Sequence, residues 1–566
     1  MSKLNPTAKQ QEANASHLNW MGGNSWDVND PFVRLRMAAA SCFFGEPKYY
    51  DTSGTEPTRS QFANLCRLSA QDFAYLRSTL NALSPSEWRD LSPRKTIERC
   101  VDECLAVDPE RTLQIASALR NEDFMRSTPQ VILVRAALSP ATKGTGLVRR
   151  YAPEICRRGD EPAVGFAYFL DEYGRKTPLP NALKKAWRDA LESFDDYVLA
   201  KYRLERNAVK TVDVVNLTHA HSESIDRLKR DELRQKDTWE SVVSNGGSWR
   251  DAAKITPHMA TLRNLRNFAQ NGVAIGEIAD RLRDGVRGGK QLPFRYYAAY
   301  KALDGYPAWQ DLAEECLEIS FANAPRFKGR VASLSDNSGS AWGTLTSELG
   351  SMHVAEIGNL MGVITGKCAD EGWLYVFGDR LARTPVRKNS SVFDLCDKAK
   401  QAGQGIGGAT ENGIWLFFDR AIRAREHWDH IFVYSDMQAG HGGLYGVDQN
   451  AYADYRWNGS NYIDVAKLIR TYRERVNPNV MIYLVQTAGY VDALVPEYYD
   501  RTFVLGGWST NILKFADAMN RAYDGDAPST AEVAEATAEN SVSADDVEAT
   551  CDDVTQTLKL KTLLDD

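Results

Sequence analysis

The second half of the chain alternates short apolar runs with amphipathic stretches, a pattern typical of strands joined by helices. The apolar runs predict strands at 331–335, 373–377, 431–434, 480–485 and 502–505. Apolar residues at helical spacing predict helices at 349–365, 414–425, 463–475 and 511–523. This alternation favours an α/β fold with a doubly wound parallel sheet. In such sheets, ligands bind beyond the carboxyl ends of the strands.

The first half shows helical periodicity almost throughout, with Pro and Gly between the periodic segments. Examples of the predicted helices, ten or more in all, are 72–83, 96–107, 111–119, 130–138, 182–203, 212–217, 225–233, 260–271, 275–284 and 294–303. Many helices of this length suggest an α-solenoid of stacked helix pairs. No exact period recurs, so a regular repeat array is not established from the pattern.

One motif at a predicted strand end has the chemistry of a cation site. Asp336, Ser338 and Ser340 form a D-x-S-x-S turn directly after the apolar run 331–335. Mg²⁺ prefers oxygen ligands in an octahedral shell and keeps several waters, so three such oxygens leave a coordination position for an outside acidic group. Ser and Asp are also common in ordinary turns, so turn or cap residues without metal are the alternative.

The order of these elements resembles the von Willebrand factor A domain over about residues 329–523. Asp336, Ser338 and Ser340 match the first loop of its metal-ion-dependent adhesion site, Thr410 the second and Asp436 the third. The resemblance therefore implies a divalent metal as cofactor, with Mg²⁺ expected, held by these five residues.

Segments of the helical half resemble the TROVE module. They are FVRLR at 32–36, CFFG at 42–45, YY at 49–50, KYRLERN at 201–207, VDVVNLTH at 212–219, LRNL at 262–265 and LPFRYY at 292–297. A TROVE module followed by an A domain is the layout of the Ro autoantigen family, with bacterial members, and the combined resemblance covers about residues 20–523.

The Ro resemblance implies a function as well as a fold. It implies a monomeric ring of HEAT-like helical repeats with an A domain. That ring would bind small noncoding Y-like RNA on its outer surface and single-stranded ends of misfolded or structured RNAs in its central hole, in RNA quality control. An exoribonuclease is a possible partner in this scheme. The family's RNA-contacting positions fall on Lys201, Arg206 and His219.

The distribution of charge changes what the net charge of −7 implies about RNA. Residues 1–330 carry 48 Lys+Arg against 42 Asp+Glu, whereas residues 331–566 carry 20 against 33. Residues 524–566 hold twelve acids and two lysines without an aromatic residue, which predicts a disordered acidic tail. The predicted domains are a flexible 1–20, a helical ring at 21–328, the A-like domain at 329–523 and the tail at 524–566.

The cations of the helical half fit RNA chemistry, because Lys and Arg neutralise phosphates and aromatic rings stack on single-stranded bases. The alternative to RNA contact for Lys201 and Arg206 is that both side chains lie on a solvated helix face. His219 has the alternative of a polar helix end, with His221 able to replace it. The segment 281–290, with Arg281, Arg283, Arg287 and Lys290, is a further phosphate-binding candidate or a flexible surface loop.

An enzyme is not predicted. Ser338 and Ser340 lack a nucleophile elbow, and the glycines at 403–408 lack the ending of a nucleotide-binding loop. The nine cysteines are scattered without zinc spacing, which indicates reduced buried thiols. No apolar run suggests a signal peptide or membrane span, so a cytoplasmic protein is expected. The main alternative function is a metal-dependent adaptor that recruits a protein through the A-like domain, with the helical half as platform.

Overall fold

The computed structural model describes residues 16–18, 24–27, 31–41, 93–121, 123, 125–204, 207–233, 238–288, 292–322, 324–343, 352–408, 410–437, 453–456, 463–487, 492–493, 501–507 and 511–524. The chain divides into two compact units. An α/β unit comprises Met1–Gly45, Pro57–Pro93 and Asn323–Asp566, and a helical unit comprises Glu46–Glu56 and Arg94–Ala322.

The α/β unit contains two sheets. Its strands are β1 (Ser16–Leu18), β2 (Asn24–Asp27), β3 (Phe327–Asp336), β4 (Ala369–Phe377), β5 (Leu381–Val386), β6 (His430–Ser435), β7 (Met481–Gln486), β8 (Asp492–Ala493) and β9 (Thr502–Gly506). The main sheet has the order β5-β4-β3-β6-β7-β9, parallel except for the antiparallel β4–β5 pair. Strands β1, β2 and β8 form a small antiparallel sheet.

The α/β unit also contains helices, most of which lie between successive strands of the main sheet. They are α1 (Pro31–Ser41), α18 (Gly339–Gly343), α19 (Val354–Lys367), α20 (Val392–Gln404), α21 (Thr410–Arg423), α22 (Val465–Arg475) and α23 (Asn511–Asp524), numbered along the chain with those of the helical unit. Aromatic side chains such as Trp415, Phe417 and Trp428 fill the core against the apolar strand residues. Burial of β6 and β7 along their whole length is typical of parallel strands that helices cover.

Helix α1 packs against β9, at the edge of the main sheet. Its residues Leu35, Met37, Ala38 and Ala39 are fully buried. A Cβ atom on Gly506 would lie 2.7 Å from the carbonyl oxygen of Met37, so only glycine permits this approach. The predicted domain boundaries assign residues 31–41 to the helical part, whereas the structure places them in the α/β unit.

The helical unit contains α2 to α17. Their bounds are α2 (Pro93–Val107), α3 (Pro109–Asn121), α4 (Thr128–Leu138), α5 (Leu147–Ile155), α6 (Glu161–Tyr173), α7 (Asn181–Glu192), α8 (Asp196–Lys201), α9 (Thr211–Thr218), α10 (Glu223–Lys229), α11 (Trp239–Ser244), α12 (Trp249–Ile255), α13 (His258–Arg263), α14 (Leu265–Gln270), α15 (Ala279–Gly288), α16 (Pro293–Ala302) and α17 (Pro307–Ser320). Short 3-10 turns occur at Pro140–Thr142 and Ile275–Glu277, and a third, Ala453–Tyr455, lies in the α/β unit.

A charged network ties α2 to α6 and α4. Lys95 and Arg94 of α2 each contact the Glu172 carboxylate of α6 at 2.9 Å. Arg135 of α4 donates a 2.7 Å hydrogen bond to the hydroxyl of Tyr168 and lies 3.6 Å from Glu172. The charged side chains of this network are largely withdrawn from solvent. Burying a charge costs free energy, and the ion pairs and hydrogen bonds between these side chains offset that cost.

The predicted fold class is confirmed in that a helical unit is joined to an α/β unit with a mainly parallel sheet. The ring closure implied by the family resemblance stays a prediction. The prediction for the α/β unit missed β5 and α20. It was wrong to treat 182–203 and 260–271 as single helices, because each is interrupted, at Asp195 and at Asn264.

The described cysteines are Cys100, Cys104, Cys156, Cys316, Cys368 and Cys396, and each is a buried free thiol. Their burial agrees with the predicted buried position of the cysteines. Within the described part of the chain, no helix has both the length and the apolar character needed to cross a membrane.

Candidate metal centre and candidate RNA-binding surface

Asp336 is the last residue of the central strand β3, between β4 and β6. It lies opposite Phe377 of β4, and the preceding Ser335 lies opposite Tyr434 of β6. Strands β4 and β5, which follow β3 in the chain, lie on one side of it, and the later strands β6, β7 and β9 lie on the other. The strand order therefore reverses at β3, and Asp336 lies at this switch point. That position at the carboxyl edge is where doubly wound sheets bind ligands.

The Asp336 carboxylate accepts hydrogen bonds from three segments. Its Oδ1 accepts the backbone N–H of Ser338 at 2.8 Å. Its Oδ2 accepts the hydroxyl of Ser435 at 2.5 Å and that of Thr410 at 3.3 Å. Ser338, Thr410 and Ser435, which directly precedes Asp436, therefore meet at one carboxylate, which is 2% exposed.

The two motif serines lie next to each other beside this carboxylate. The Oγ atoms of Ser338 and Ser340 are 3.2 Å apart. Two oxygens that bind Mg²⁺ at about 2.1 Å and at right angles to each other are about 3.0 Å apart, so the pair has the spacing of one edge of an octahedral shell. The Asp336 carboxylate and the two serine hydroxyls are thus oxygen ligands suited to a hard divalent cation.

Asp436 directly follows β6 and is buried at the same edge of the sheet. Its backbone carbonyl accepts a 3.0 Å hydrogen bond from Nε2 of Gln486, on β7. Across the described residues, no group of three or more His, Cys, Asp and Glu side chains is arranged to hold a metal. A cation here would therefore depend on two carboxylates and neighbouring hydroxyls.

Burial raises the pKa of the Asp336 carboxyl. The hydrogen bonds from Ser435, Ser338 and Thr410 act in the opposite direction, but the pKa stays above its ordinary value. A buried carboxylate held by neutral donors has its negative charge only partly compensated. A divalent cation would supply the missing compensation, which is a second reason why the group fits this site.

Several supporting residues were not predicted from the sequence. Ser435 contacts Asp336 directly, and its Oγ also accepts the N–H of Met437 at 3.0 Å. The side-chain amides of Asn337 and Asn359 exchange two hydrogen bonds, of 2.9 and 3.1 Å. This amide pair joins the D-x-S-x-S turn to α19 and so fixes the turn against the sheet.

In the helical unit, Lys201 forms the last residue of the short helix α8. Asp195 begins this helix by accepting the N–H of Val198 at 2.8 Å. The Lys201 Nζ lies 5.6 Å from the ring centroids of both Tyr197 and Tyr202. Lys201 and Tyr197 are exposed, Tyr197 to 42%, so a cation and an aromatic face are presented together.

The position of Tyr202 depends on a glycine in a neighbouring turn. A Cβ atom on Gly159 would lie 3.2 Å from the Cβ of Tyr202 and 3.1 Å from Val198, so the absent side chain permits the close packing of α8. Arg158 lies with its guanidinium carbon 4.7 Å from the Tyr202 ring centroid, and it pairs with Asp160 at 2.8 Å. We call Arg158, Tyr197, Lys201 and Tyr202 the aromatic–cation surface.

The structure describes one of the other two predicted RNA-contacting residues, His219 and Arg206. His219 is exposed and ends α9 in the left-handed conformation, with φ 56°. His221, the alternative, pairs with Asp226 at 3.2 Å. Arg206 lies outside the described residues.

The interpretation of 281–290 as a surface loop was wrong, because residues up to Gly288 belong to α15. Arg281 donates to the carbonyls of Ala253 and Lys254. Arg283 pairs with Glu315 at 2.8 Å, and Arg287 pairs with Asp284 at 2.7 Å. These three guanidinium groups are already used within the unit, which leaves the segment poorly suited to phosphate binding.

Comparison with known proteins gives a limited result. No protein-family model and no curated protein matches the chain. Among solved structures, the chain is similar to the crystal structure of Deinococcus radiodurans RO (RSR) protein, with 14% identity and a TM-score of 0.48. The match covers 86% of this chain and 99% of that chain.

Proposed function

We propose that this protein binds RNA through its helical unit and holds a non-catalytic divalent cation in its α/β unit. The observation that carries the RNA proposal is the aromatic–cation surface, where the exposed Lys201 stands beside the exposed ring of Tyr197. Within the described residues, Lys201 forms no ion pair with a carboxylate, so its charge is available to a phosphate.

The chemistry of this surface suits a single strand. A lysine neutralises one backbone phosphate and releases its counterions. A neighbouring tyrosine ring offers a face on which an unpaired base can stack, which contributes about 1–3 kcal/mol per base. The ligands we propose, following the motif resemblance, are small noncoding Y-like RNAs and single-stranded ends of misfolded or structured RNAs. An exoribonuclease that acts on such RNAs is a proposed partner.

The test compares RNA affinity between matched lysine variants of the full chain. Lys201→Gln removes the cation beside the tyrosines, and Lys185→Gln removes an equally exposed lysine of α7. With a structured RNA that carries a single-stranded end, we expect about tenfold weaker binding for Lys201→Gln, because a charge-assisted contact is lost. Equal affinities of the two variants, both near wild type, would refute the RNA role of this surface.

A second candidate function is favoured by the convergence of oxygen donors on Asp336. A cation held there with an open coordination position could take a carboxylate from a protein partner. In this alternative the α/β unit recruits a protein and the helical unit serves as a platform. Metal-dependent capture of an acidic protein that persists in Lys201→Gln and disappears on chelation would support it.

A further inference from the structure

A cavity of about 260 Å³ lies among the helices α13, α14 and α16. None of its lining residues belongs to the aromatic–cation surface. Three arginines line it: Arg263 ends α13, Arg266 lies on α14 and Arg295 lies on α16. The remaining lining is Asn267 and the apolar side chains of Met259, Leu262, Leu265, Ala298, Ala299 and Ala302. The cavity therefore combines three positive charges with no acidic side chain in its lining.

The local backbone explains why two of these arginines share one cavity. Asn264 interrupts the helical path between α13 and α14, with φ −104° and ψ 8°. Its side chain donates to the carbonyl of Ala260 at 2.9 Å and accepts from Asn267 at 2.8 Å. These bonds fix the change of direction that brings the arginines on both sides of it to the same cavity.

The arginines of this cavity differ from others in the helical unit. Arg203, Arg250 and Arg283 each pair with a carboxylate, of Asp231, Glu277 and Glu315 respectively. In the part of the chain that the structure describes, Arg263, Arg266 and Arg295 have no carboxylate partner. Like charges without a counter-ion repel each other, so an unpaired cluster of this kind is stabilised by an anion from outside.

Arg295 is the most constrained of the three. Its guanidinium carbon lies 4.8 Å from the centroid of the Phe294 ring. Burial lowers the pKa of Arg295, and the positive charges of Arg126 and Arg263 lower it further. An anion in the cavity would offset both effects, while the ring contact keeps the guanidinium in place.

We propose that this cavity binds a phosphomonoester group, with the terminal 5′-phosphate of an RNA strand as its source. A phosphomonoester carries a charge of about −1.5 to −2 at neutral pH, which matches three cations better than the single charge of an internal phosphodiester. The cavity is smaller than the pockets of about 300–1,000 Å³ that hold drug-sized ligands, so it suits one phosphate and its sugar rather than a duplex. With RNA as the source, the inference rests on the proposed function.

The test uses the full chain and two short single-stranded RNAs of one sequence, with a 5′-phosphate or a 5′-hydroxyl end. Fluorescence anisotropy should show about tenfold tighter binding of the phosphorylated RNA, since guanidinium–phosphate bonds are charge-assisted. Arg266→Gln and Arg295→Gln should each reduce this ratio towards one. The control Arg250→Gln, at an exposed ion-paired arginine, should leave the ratio unchanged. The exposed Arg266 makes that variant informative even if Arg295→Gln fails to fold.

Failure of this inference can be distinguished from failure of the proposed function. Lys201→Gln should weaken both RNAs equally and preserve their ratio. If both RNAs bind but the ratio is one, or if it survives in Arg266→Gln, the cavity proposal is overturned and the RNA function stands. If neither RNA binds while inorganic phosphate binds in calorimetry and Arg266→Gln abolishes that binding, the phosphate site stands without its RNA source. If neither RNA nor phosphate binds, both proposals fall.

Discussion

Asp336 shows how much of the candidate metal centre depends on one residue. Its two carboxylate oxygens accept from Ser338, Thr410 and Ser435, which belong to three separate segments of the chain. The hydroxyl groups around it are neutral and cannot replace its charge. A cation bound at this edge would therefore depend on this carboxylate more than on any hydroxyl ligand.

We expect Asp336→Ala to abolish binding of Mg²⁺ and Mn²⁺, because the principal negative charge of the site is removed. Isothermal titration calorimetry on folded protein measures this directly. Asp370→Ala is the matched control, since Asp370 is an exposed carboxylate next to the beginning of β4 that accepts from the N–H of Gly329. Unchanged metal binding in Asp336→Ala would exclude this site.

His219 permits a variant that separates RNA binding from stability. An L-residue in the left-handed region is strained by up to about 1–2 kcal/mol, whereas glycine adopts it freely. His219→Gly should therefore keep or slightly raise the melting temperature while removing the imidazole. We expect RNA affinity to fall, with His427→Gln, at an exposed histidine of the α/β unit, as the control. Wild-type affinity in His219→Gly would mean that His219 does not contact RNA.

The residues found from sequence were those with a spacing signature. Asp336, Ser338 and Ser340 form a recognisable turn, and the resemblance to the A domain added Thr410 and Asp436. Ser435 and Asn359 could not be found in this way, because their contacts join positions 99 and 22 residues apart and leave no local pattern. Likewise, the arginine cavity depends on a change of helix direction that periodicity does not show.

At the scale of elements, helices were predicted where apolar periodicity continued, and the errors lie where polar side chains end a helix. The segment 182–203 keeps its periodicity, yet Asp195 begins a new helix by capping Val198. Asn264 interrupts the next such segment with its own hydrogen bonds. Such competition between side chain and backbone is local, but it leaves the spacing of the apolar residues unchanged, so periodicity alone cannot predict it.

The network between α2 and α6 gives a prediction with a defined pH dependence. Burial acts to raise the pKa of Glu172, but the hydrogen bond and charge of Lys95, together with Arg94 and Arg135, lower it overall. A carboxyl whose folded pKa is lowered contributes stability above its unfolded pKa of about 4.3, and this contribution is lost as the pH falls through the folded value.

Glu172→Gln should therefore lower the free energy of unfolding by about 1–3 kcal/mol at neutral pH, because partly buried cations lose their partner. The difference from wild type should disappear in acid, below the folded pKa of Glu172. Urea unfolding across this pH range measures both effects. Glu154→Gln, at an exposed carboxylate of α5, serves as the control. A difference that is equal at all pH values would contradict the electrostatic role.

At the scale of the whole molecule, the two units have different chemistry. The helical unit presents cations with aromatic rings and a cavity of arginines, and the α/β unit presents a set of oxygen donors. The helical unit ends at Ala322, and residues 31–41 belong with the α/β unit, which composition could not show. The predicted tail at 524–566 falls outside the described residues beyond Asp524.

The central claim is that the helical unit binds RNA phosphates, and the salt dependence of RNA affinity tests it most directly. For the full chain, log affinity should fall linearly with log salt. In the double variant Lys201→Ala/Arg206→Ala, the slope should shrink by up to about 0.7–0.9 per lost phosphate contact, while Asp336→Ala should leave it unchanged. An unchanged slope in the double variant, with the melting temperature of wild type, would contradict the account and favour protein recruitment instead.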